Sequence, residues 1–275
     1  MAQRAEAGGI ARAAMDPLAV FVLSVLAGAF VSFGAVFATT VGAGNIGPDA
    51  VLPYGVMRLL TGIVFCAGLI LVVVGGAELF TGNNMLVMAW AGGKVTTRAV
   101  LANWTIVFIG NFIGAIATAA LVFLSTHYTF GGGAVGLNAL VIANGKSALD
   151  LVPAFVLGIL CNALVCLAVW MCYGARTSID RVVTVIPPIS AFAAAGFEHS
   201  IANIYFIPAG LFIKSAAPES FWKGIGKSPA DFPALTWDNF FFANLIPVTA
   251  GNIVGGSVMV AAVYWFVYLR NKPSG

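Results

Sequence analysis

The sequence predicts an all-α integral membrane protein with six transmembrane helices in two inverted three-helix repeats, with helices 2 and 5 broken at mid-membrane. Three observations predict this fold: the composition, six long apolar windows, and a polar pattern that interrupts two of those windows. Of the 275 residues, 60% are hydrophobic and 8% are charged, whereas about 25% are charged in a soluble domain. With so few groups that water can solvate, the folded surface must face lipid.

Six windows are long enough to cross a bilayer, which takes roughly 20 mostly apolar residues. Their approximate bounds are 18–40, 53–90, 99–124, 151–173, 182–213 and 240–269. Capping residues mark two of the starts, with Asp16-Pro17 before the first window and Ser147-x-x-Asp150 before the fourth. We therefore divide one membrane domain into an N-terminal segment (1–16), a first repeat (17–124) and a second repeat (147–270).

The second and fifth windows are too long for one straight span, and each is interrupted by polar residues. The interruptions are GAELFTGNN at 76–84 and GFEHSIAN at 196–203. Non-helical backbone at membrane depth leaves N–H and C=O groups unpaired, and it is tolerated only where protein or a water-filled path satisfies them. The two breaks therefore predict a buried pathway.

The two halves of the chain repeat the same motifs. Gly76-x-Glu78-x4-Asn83 is matched 120 residues later by Gly196-x-Glu198-x4-Asn203. A second motif, Ala-Asn followed by Gly-Asn-x-x-Gly, occurs at 102–114 and again 141 residues later at 243–255. Each half holds three spans, so the second copy enters the membrane with opposite polarity, as in transporters that bind at the midplane between broken helices.

The charged residues and cysteines exclude several other classes of protein. The net charge of +3 includes no run of Lys or Arg, so we expect no nucleic-acid partner. Residues 1–16 lack an apolar stretch and do not resemble a cleaved signal peptide. The four cysteines form no CxxC pair, and we expect no metal site, no disulfide framework and no cofactor.

Basic residues near the span ends predict the orientation, because Lys and Arg are enriched in cytoplasmic loops. One face collects Arg4, Arg12, Lys94, Arg98, Arg176, Arg181, Arg270 and Lys272. The other face has Arg58, Lys146, Lys214, Lys223 and Lys227, several of them in a long loop where the rule is weak. We therefore expect a multi-pass protein of the cell (inner) membrane with both termini in the cytoplasm.

Three ionisable residues, Glu78, Glu198 and His199, lie deep within the spans, where function is the default interpretation. For the glutamates we favour a structural role, in which they accept hydrogen bonds from backbone N–H groups of the breaks. We assign the same structural role to the repeated asparagines Asn83, Asn203, Asn111 and Asn252. His199 has no counterpart in the first half, where Leu79 stands, and imidazole both donates to an anion and exchanges a proton near neutral pH.

Other residues near the breaks have both structural and functional interpretations. Thr81 offers a hydroxyl to an anion or to the break itself. Phe65 and Leu69 are four residues apart, and Phe192 and His199 are seven apart, so each pair shares a helical face. Such faces are core packing or an apolar constriction that gates by excluding water.

Two further polar residues lie outside the breaks. Lys146 is expected in the loop before the fourth span, as a solvated surface charge or as an attractor for anions at an outer vestibule. Asn162 lies one turn after Gly158 and is expected to hydrogen-bond across helices.

The two breaks, together with CNALVCLAVW at 161–170, resemble the formate/nitrite transporter family over nearly the whole chain. The resemblance implies a homopentamer of aquaporin-like protomers, each with its own pore. It also implies that the break after Glu78 is a mobile loop near the cytoplasmic side. The residues implied to narrow the pore are Phe65, Leu69, Leu79 and Phe192, and those implied to handle the anion are Thr81, Lys146, Asn162 and His199.

Within the family the stretch NIYFIP at 203–208 looks closest to the formate channels. The form ELFTG at 78–82 also looks like nitrite and hydrosulfide members, and Ser147-Ala148-Leu149 replaces a histidine-rich segment of some formate channels. We therefore expect a pH-dependent channel or transporter in the lipid bilayer for small monovalent anions, foremost formate, with protons as partners. The alternatives are a nitrite or hydrosulfide channel and a proton-coupled monocarboxylate symporter.

Two hypotheses from other classes are weaker. An aquaporin-like channel for neutral solutes also has six spans in inverted repeats, but neither break contains Asn-Pro-Ala. A membrane enzyme or electron carrier would need ligands for a redox group. Of the two histidines, His127 is expected in a loop, so they do not supply paired axial ligands inside the membrane.

Overall fold

The computed structural model describes residues 1–45 and 51–271, so Lys272 lies outside the described residues. Six helices are long and apolar enough to span a membrane, which confirms the predicted number. They are α2 (Pro17–Val41), α3 (Tyr54–Gly75), α6 (Thr97–Leu124), α8 (Leu151–Cys172), α9 (Ser178–Ala195) and the last span, Asn239–Tyr268. The shorter helices are α1 (Ala2–Ala13), α4 (Phe80–Asn83), α5 (Val87–Ala91), α7 (Ala134–Ser147), α10 (Ser200–Ala216) and α11 (Glu219–Ile225).

The N-terminal segment forms the helix α1, which hydropathy alone does not predict. Ala5 and Gly9 are its buried residues, and Gly9 packs closely against Ala89 of α5. The chain then turns into α2 at Asp16, whose Oδ2 accepts a hydrogen bond from the N–H of Ala19 at 2.9 Å. This contact confirms the predicted cap at the first span.

The predicted capping box at Ser147 and Asp150 is wrong. Ser147 is the last residue of α7, and α8 begins three residues later than the box requires. Asp150 precedes α8, yet its side chain caps no backbone N–H. A capping box instead begins α9, where the Thr177 hydroxyl accepts from the N–H of Asp180 and the Asp180 carboxylate accepts from the N–H of Thr177.

Both breaks begin at a glycine in the left-handed conformation. α3 ends at Gly76 with φ of +73°, and α9 ends at Gly196 with φ of +78°. A side chain would strain the backbone there, so glycine is the residue that stops each helix cleanly. The first break leads into the short helices α4 and α5, whereas the second leads into α10, which bends by 110° into α11.

The last span is not a uniform α-helix. Its middle is the α-helix α12 (Ile246–Ile253), which is flanked by π-helical turns at Asn239–Leu245 and Val254–Ala262. It ends in the α-helix α13 (Val263–Tyr268). Wider turns of this kind are frequent at functional sites, and here the first one carries Asn244, a residue of the repeated motif.

Glycines let neighbouring spans approach closely, at matching places in the two halves. A methyl group at Gly114 of α6 would lie against the carbonyl oxygen of Val25 in α2. A methyl group at Gly255 would lie against the carbonyl oxygen of Ile159 in α8. Small residues at such crossings bring backbones into van der Waals contact, which is a main source of helix association in lipid.

The substitution Gly114→Ala tests this contact. Because the new methyl would overlap backbone, we expect a lower melting temperature, with a destabilisation of about 1–3 kcal/mol. Gly145→Ala is the matched control, since no described residue lies within 4 Å of its added methyl, and alanine favours helix there. Thermal unfolding of the detergent-purified variants measures both, and equal melting temperatures would contradict the close crossing of α2 and α6.

Candidate functional site

The glutamate of the first break is held by side chains. Glu78 Oε2 accepts a hydrogen bond from Asn83 Nδ2 at 2.7 Å, and Asn83 also donates to Asn103 Oδ1 at 2.9 Å. The other carboxylate oxygen, Oε1, lies 3.2 Å from Arg12 Nε. The carboxylate is therefore neutralised by a cation from α1, outside the six spans.

The second break has the same network. Glu198 Oε2 accepts from Asn203 Nδ2 at 2.7 Å and from Asn244 Nδ2 at 3.2 Å. Asn203 also donates to Asn244 Oδ1 at 2.7 Å. Glu198 Oε1 lies 2.8 Å from Lys146 Nζ. Each break thus joins its glutamate to two asparagines and one cation.

Two further asparagines hold the backbone of the breaks. Asn111 Oδ1 accepts from the N–H of Phe80 at 2.8 Å, and its Nδ2 donates to the carbonyls of Glu78 at 2.9 Å and Ser24 at 2.7 Å. In the second break, Asn252 Oδ1 accepts a hydrogen bond from the N–H of Ser200 at 2.9 Å. Its Nδ2 donates to the carbonyls of Glu198 at 3.0 Å and Gly158 at 2.8 Å. One amide therefore satisfies both a donor and acceptors of the broken chain.

The prediction that the glutamates accept from backbone N–H groups of the breaks is wrong. Among the described residues, the carboxylates of Glu78 and Glu198 accept hydrogen bonds from side chains and from no backbone N–H, whereas the backbone N–H groups of Phe80 and Ser200 bind Asn111 and Asn252. The physical reason is that an ionised carboxylate only accepts, whereas a carboxamide both accepts and donates. A break exposes N–H and C=O groups together, so the carboxamide suits it better.

His199 precedes α10 and joins the two breaks. Its Nδ1 accepts a hydrogen bond from the N–H of Ala202 at 3.1 Å, so these partners assign the proton of the neutral ring to Nε2. Nε2 lies 3.0 Å from Thr81 Oγ1, and the ring therefore donates to that hydroxyl. Within residues 1–45 and 51–271 the Thr81 hydroxyl has no other partner, which leaves its hydrogen available to a ligand.

Two cavities approach this histidine and threonine from opposite sides. The Lys146 cavity, of about 500 Å³, is lined by Lys146, Glu198 and His199, among others. The Arg12 cavity, of about 240 Å³, is lined by Arg12 and Glu78, among others. Thr81 is fully buried and lines neither cavity. The two spaces therefore approach each other around Thr81 and His199 without joining.

The predicted constriction residues line the inner parts of these two cavities. Phe65 and Phe192 line the Lys146 cavity, and their rings meet edge to face with centroids 5.6 Å apart. Leu69 and Leu79 line the Arg12 cavity. The expectation that Phe192 and His199 share a helical face is wrong, because α9 ends before His199. Their rings, 5.9 Å apart, stack across the break instead.

Lys146 lies on a helix, which corrects the expected loop. It is one residue from the end of α7, and it lies 5.5 Å from the Phe206 ring besides its ion pair with Glu198. The three glycines at 131–133 indicate a loop, but between 131 and 147 the left-handed backbone is confined to them, and α7 begins directly after them. With 14 residues, α7 is also too short to stand out as a span.

Asn162 binds across helices, which confirms that expectation. Its Nδ2 lies 2.8 Å from Asn84 Oδ1, 2.6 Å from the Asn252 carbonyl and 3.3 Å from the Thr81 carbonyl. The side chain is fully buried and lines neither cavity. Asn162 therefore touches the site through the backbone of Thr81.

Four residues of these networks are not among the site residues that the sequence predicts. Asn103 and Asn244 belong to the repeated Ala-Asn motif, so their repetition was the available signal. Arg12 and Tyr173, whose hydroxyl lies 3.2 Å from Arg12 Nη1, carried no such signal. A helix outside the spans brings Arg12 to the break, and hydropathy contains no information on that docking.

Six spans, two matching breaks and a buried donor between two cavities define a multi-pass membrane transport protein. The family profile described as "Formate/nitrite transporter" matches residues 1–266, and the chain belongs to that family. This membership confirms the family resemblance and the expectation of a transporter, not an enzyme.

Named relatives are similar along almost the whole chain. The formate channel FocA of Escherichia coli (strain K12) is 43% identical over 272 residues, covering 99% of this chain and 94% of the relative. The formate channel FocB of the same strain is 38% identical over 273 residues, with coverages of 99% and 94%. A solved "pentameric formate channel with formate bound" has a TM-score of 0.87 and 42% identity over 92% of this chain and 98% of that one. A solved "FNT family ion channel" has a TM-score of 0.77 and 27% identity, with coverages of 97% and 98%.

The substitution Asn252→Ala tests the role of the amide at the second break. It removes the side-chain partner of one buried N–H and of two carbonyls. Because each buried group left unsatisfied costs about 1–3 kcal/mol, we expect the free energy of unfolding to fall by about 3 kcal/mol or more. Asn144→Ala is the control, because the buried Oδ1 of Asn144 has no partner among the described residues. Thermal unfolding in detergent measures the difference, and a small loss for Asn252→Ala would show that the break holds without the amide.

Proposed function

We propose that this chain is a channel for small monovalent anions, with formate as its main substrate. The observation that carries the proposal is the buried contact between Thr81 and His199, between two cavities that approach from opposite sides. The named formate channels among its relatives support formate. Nitrite, with the same charge and two acceptor oxygens, is the alternative of the same class, followed by hydrosulfide. Family membership stands against the neutral-solute channel.

The apolar constriction sets the main barrier to an anion. A bare carboxylate that passes Phe65, Phe192 and Leu79 loses hydration worth more than one hydrogen bond returns. The Thr81 hydroxyl offers one donor at this point, and the Nε2–H of His199 becomes a second one when the Thr81 contact opens. The pair therefore lowers the cost of dehydration, although it does not remove the charge.

Conversion to the neutral acid would remove the charge, and the bonds of His199 bear on the source of the proton. A second ring proton would sit on Nδ1, which already accepts from the N–H of Ala202. Two donors would then face each other at the start of α10. The geometry therefore favours His199 as a neutral donor, with water in the cavities as the source of the proton. Proton exchange by His199 itself, and proton-coupled symport, remain the alternatives.

We further propose that both termini and the Arg12 cavity face the cytoplasm of the cell (inner) membrane. This proposal is supported by the position of α1, which lies close to two other segments that carry basic residues. Arg4 Nη1 binds the carbonyl of Tyr173 at 3.1 Å, next to the loop with Arg176, and Gly9 packs on α5 ahead of Lys94. These residues belong to the more basic face, which is cytoplasmic in most membrane proteins.

The substitution His199→Asn tests the histidine. Asparagine is a good N-cap, so we expect the variant to fold, but its shorter side chain loses the reach to Thr81. We expect formate flux into proteoliposomes to fall while its pH dependence stays that of wild type, because water supplies the proton in the proposed mechanism. We expect His199→Phe to abolish flux because it removes the donor. A wild-type rate for His199→Asn would reject the role of the ring, and a changed pH profile would favour proton exchange by His199 itself.

The assembly is proposed to be a homopentamer with one pore per protomer. The support is the similarity to the solved pentameric channel. The outer faces of the helices also expose large apolar residues, for example Leu121 at 66% and Phe242 at 66%. We expect native mass spectrometry of the detergent-purified protein to give five copies. A stable monomer or trimer under conditions that preserve activity would contradict the proposal.

A further inference from the structure

The two cavities are lined by different charged residues of the same types. The Lys146 cavity is lined by Lys146, Glu198 and Arg58. The Arg12 cavity is lined by Arg12, Glu78 and Arg181. Each set therefore consists of two cations and one carboxylate, with a net charge of +1 when the carboxylate is ionised.

In each cavity one of the two cations is already neutralised. Lys146 Nζ lies 2.8 Å from Glu198 Oε1, and Arg12 Nε lies 3.2 Å from Glu78 Oε1. An ion pair has no net charge, so its field falls off faster with distance than the field of a single charge. Neither paired cation by itself accounts for a positive cavity.

The second cation of the Lys146 cavity, Arg58, binds neutral groups. It lies in the second turn of α3, and its guanidinium donates to the carbonyls of Ala194, at 2.9 Å from Nε, and of Ala193. These carbonyls belong to the last turn of α9, where they carry the negative end of the helix dipole. Arg58 therefore covers a feature that repels anions, and among the described residues no carboxylate compensates its charge.

Arg181 is the second cation of the Arg12 cavity. It lies in the first turn of α9, as Arg58 lies near the start of α3, and its side chain is exposed. In the part of the chain that the structure describes, the ion pairs are Arg12–Glu78, Lys146–Glu198 and Lys223–Glu219. Neither Arg58 nor Arg181 has a carboxylate partner there.

We propose that Arg58 supplies the net positive charge that concentrates the anion in the Lys146 cavity, and that Arg181 does so in the Arg12 cavity. The proposal rests on the proposed anion channel and changes the expected role of Lys146. An uncompensated charge in a cavity with low-dielectric walls raises the local concentration of counter-ions. Lys146 and Arg12 instead neutralise the carboxylates that stabilise the breaks.

The test uses formate flux in proteoliposomes in which the orientation of the protein is known from the labelling of a single introduced cysteine. For Arg58→Gln, with formate supplied on the side of the Lys146 cavity, we expect a roughly tenfold lower flux at low formate and low salt, at the lower end of electrostatic focusing effects. The half-saturating concentration should rise more than the maximal flux falls. For Arg181→Gln we expect the same change only with formate supplied on the opposite side.

Salt and conservative variants separate charge from structure. At about 1 M salt the Debye length is about 3 Å, so wild type and Arg58→Gln should converge, and Arg58→Lys should retain most of the low-salt flux. Lys223→Gln is the control, because it removes a charge from α11, outside the cavity, where the side chain is 74% exposed. The double variant Lys146→Met/Glu198→Gln keeps the net charge and should keep the salt dependence, whatever its absolute flux.

Three outcomes are distinct. If wild-type protein carries no formate or nitrite, the proposed function fails. If wild type carries formate and Arg58→Gln keeps its low-concentration flux and salt dependence, only the role of Arg58 is overturned. If Arg58→Gln and Arg58→Lys lose flux equally at every formate and salt concentration, Arg58 acts only as a cap of α9, which also overturns the proposal.

Discussion

The structure depends on one constraint: a helix that ends inside a membrane must find partners for the backbone groups it exposes. Unpaired N–H and C=O groups cost several kcal/mol each in lipid. Asn111 and Asn252 meet this constraint, because one carboxamide accepts from the chain after the break and donates to a carbonyl before it. Each also donates to a neighbouring span, at Ser24 in α2 or Gly158 in α8. The same bond that satisfies a break therefore fixes its position against the bundle.

Once the breaks are fixed, charge becomes the next problem. A glutamate beside a pathway for anions would repel them, and each glutamate is paired with a cation from a short helix. Arg12 comes from α1, directly before the first span of the first half, and Lys146 from α7, directly before the first span of the second half. The short helix and its cation thus occur in both halves. The unit that repeats in the two halves therefore consists of one short helix and three spans, whereas hydropathy indicates only the three spans.

The sequence predicts the parts of this fold that have a strong periodic or repeated signal. The spans follow from apolar length, and the breaks from polar residues at membrane depth. It does not predict α1 and α7, because short helices outside the spans are stabilised by docking: α1 through Arg12 and Arg4, and α7 through contacts such as that of Lys146 with Glu198. The sequence predicts that the glutamates lie deep in the spans but not which groups they bind, because spacing shows which residues recur and not which atoms meet.

The chemistry of the site arises where the two halves differ. At a shift of 120 residues, His199 corresponds to Leu79, and Thr81 corresponds to Ile201. Each half therefore contributes one polar and one apolar side chain, at different positions of its break. The two polar residues occupy non-equivalent positions of their breaks, and their side chains contact each other, with Nε2 of His199 3.0 Å from Oγ1 of Thr81. A strictly symmetric pair of breaks would give two histidines or none. The departure from symmetry places a single donor pair between the cavities, with Leu79 lining the Arg12 cavity.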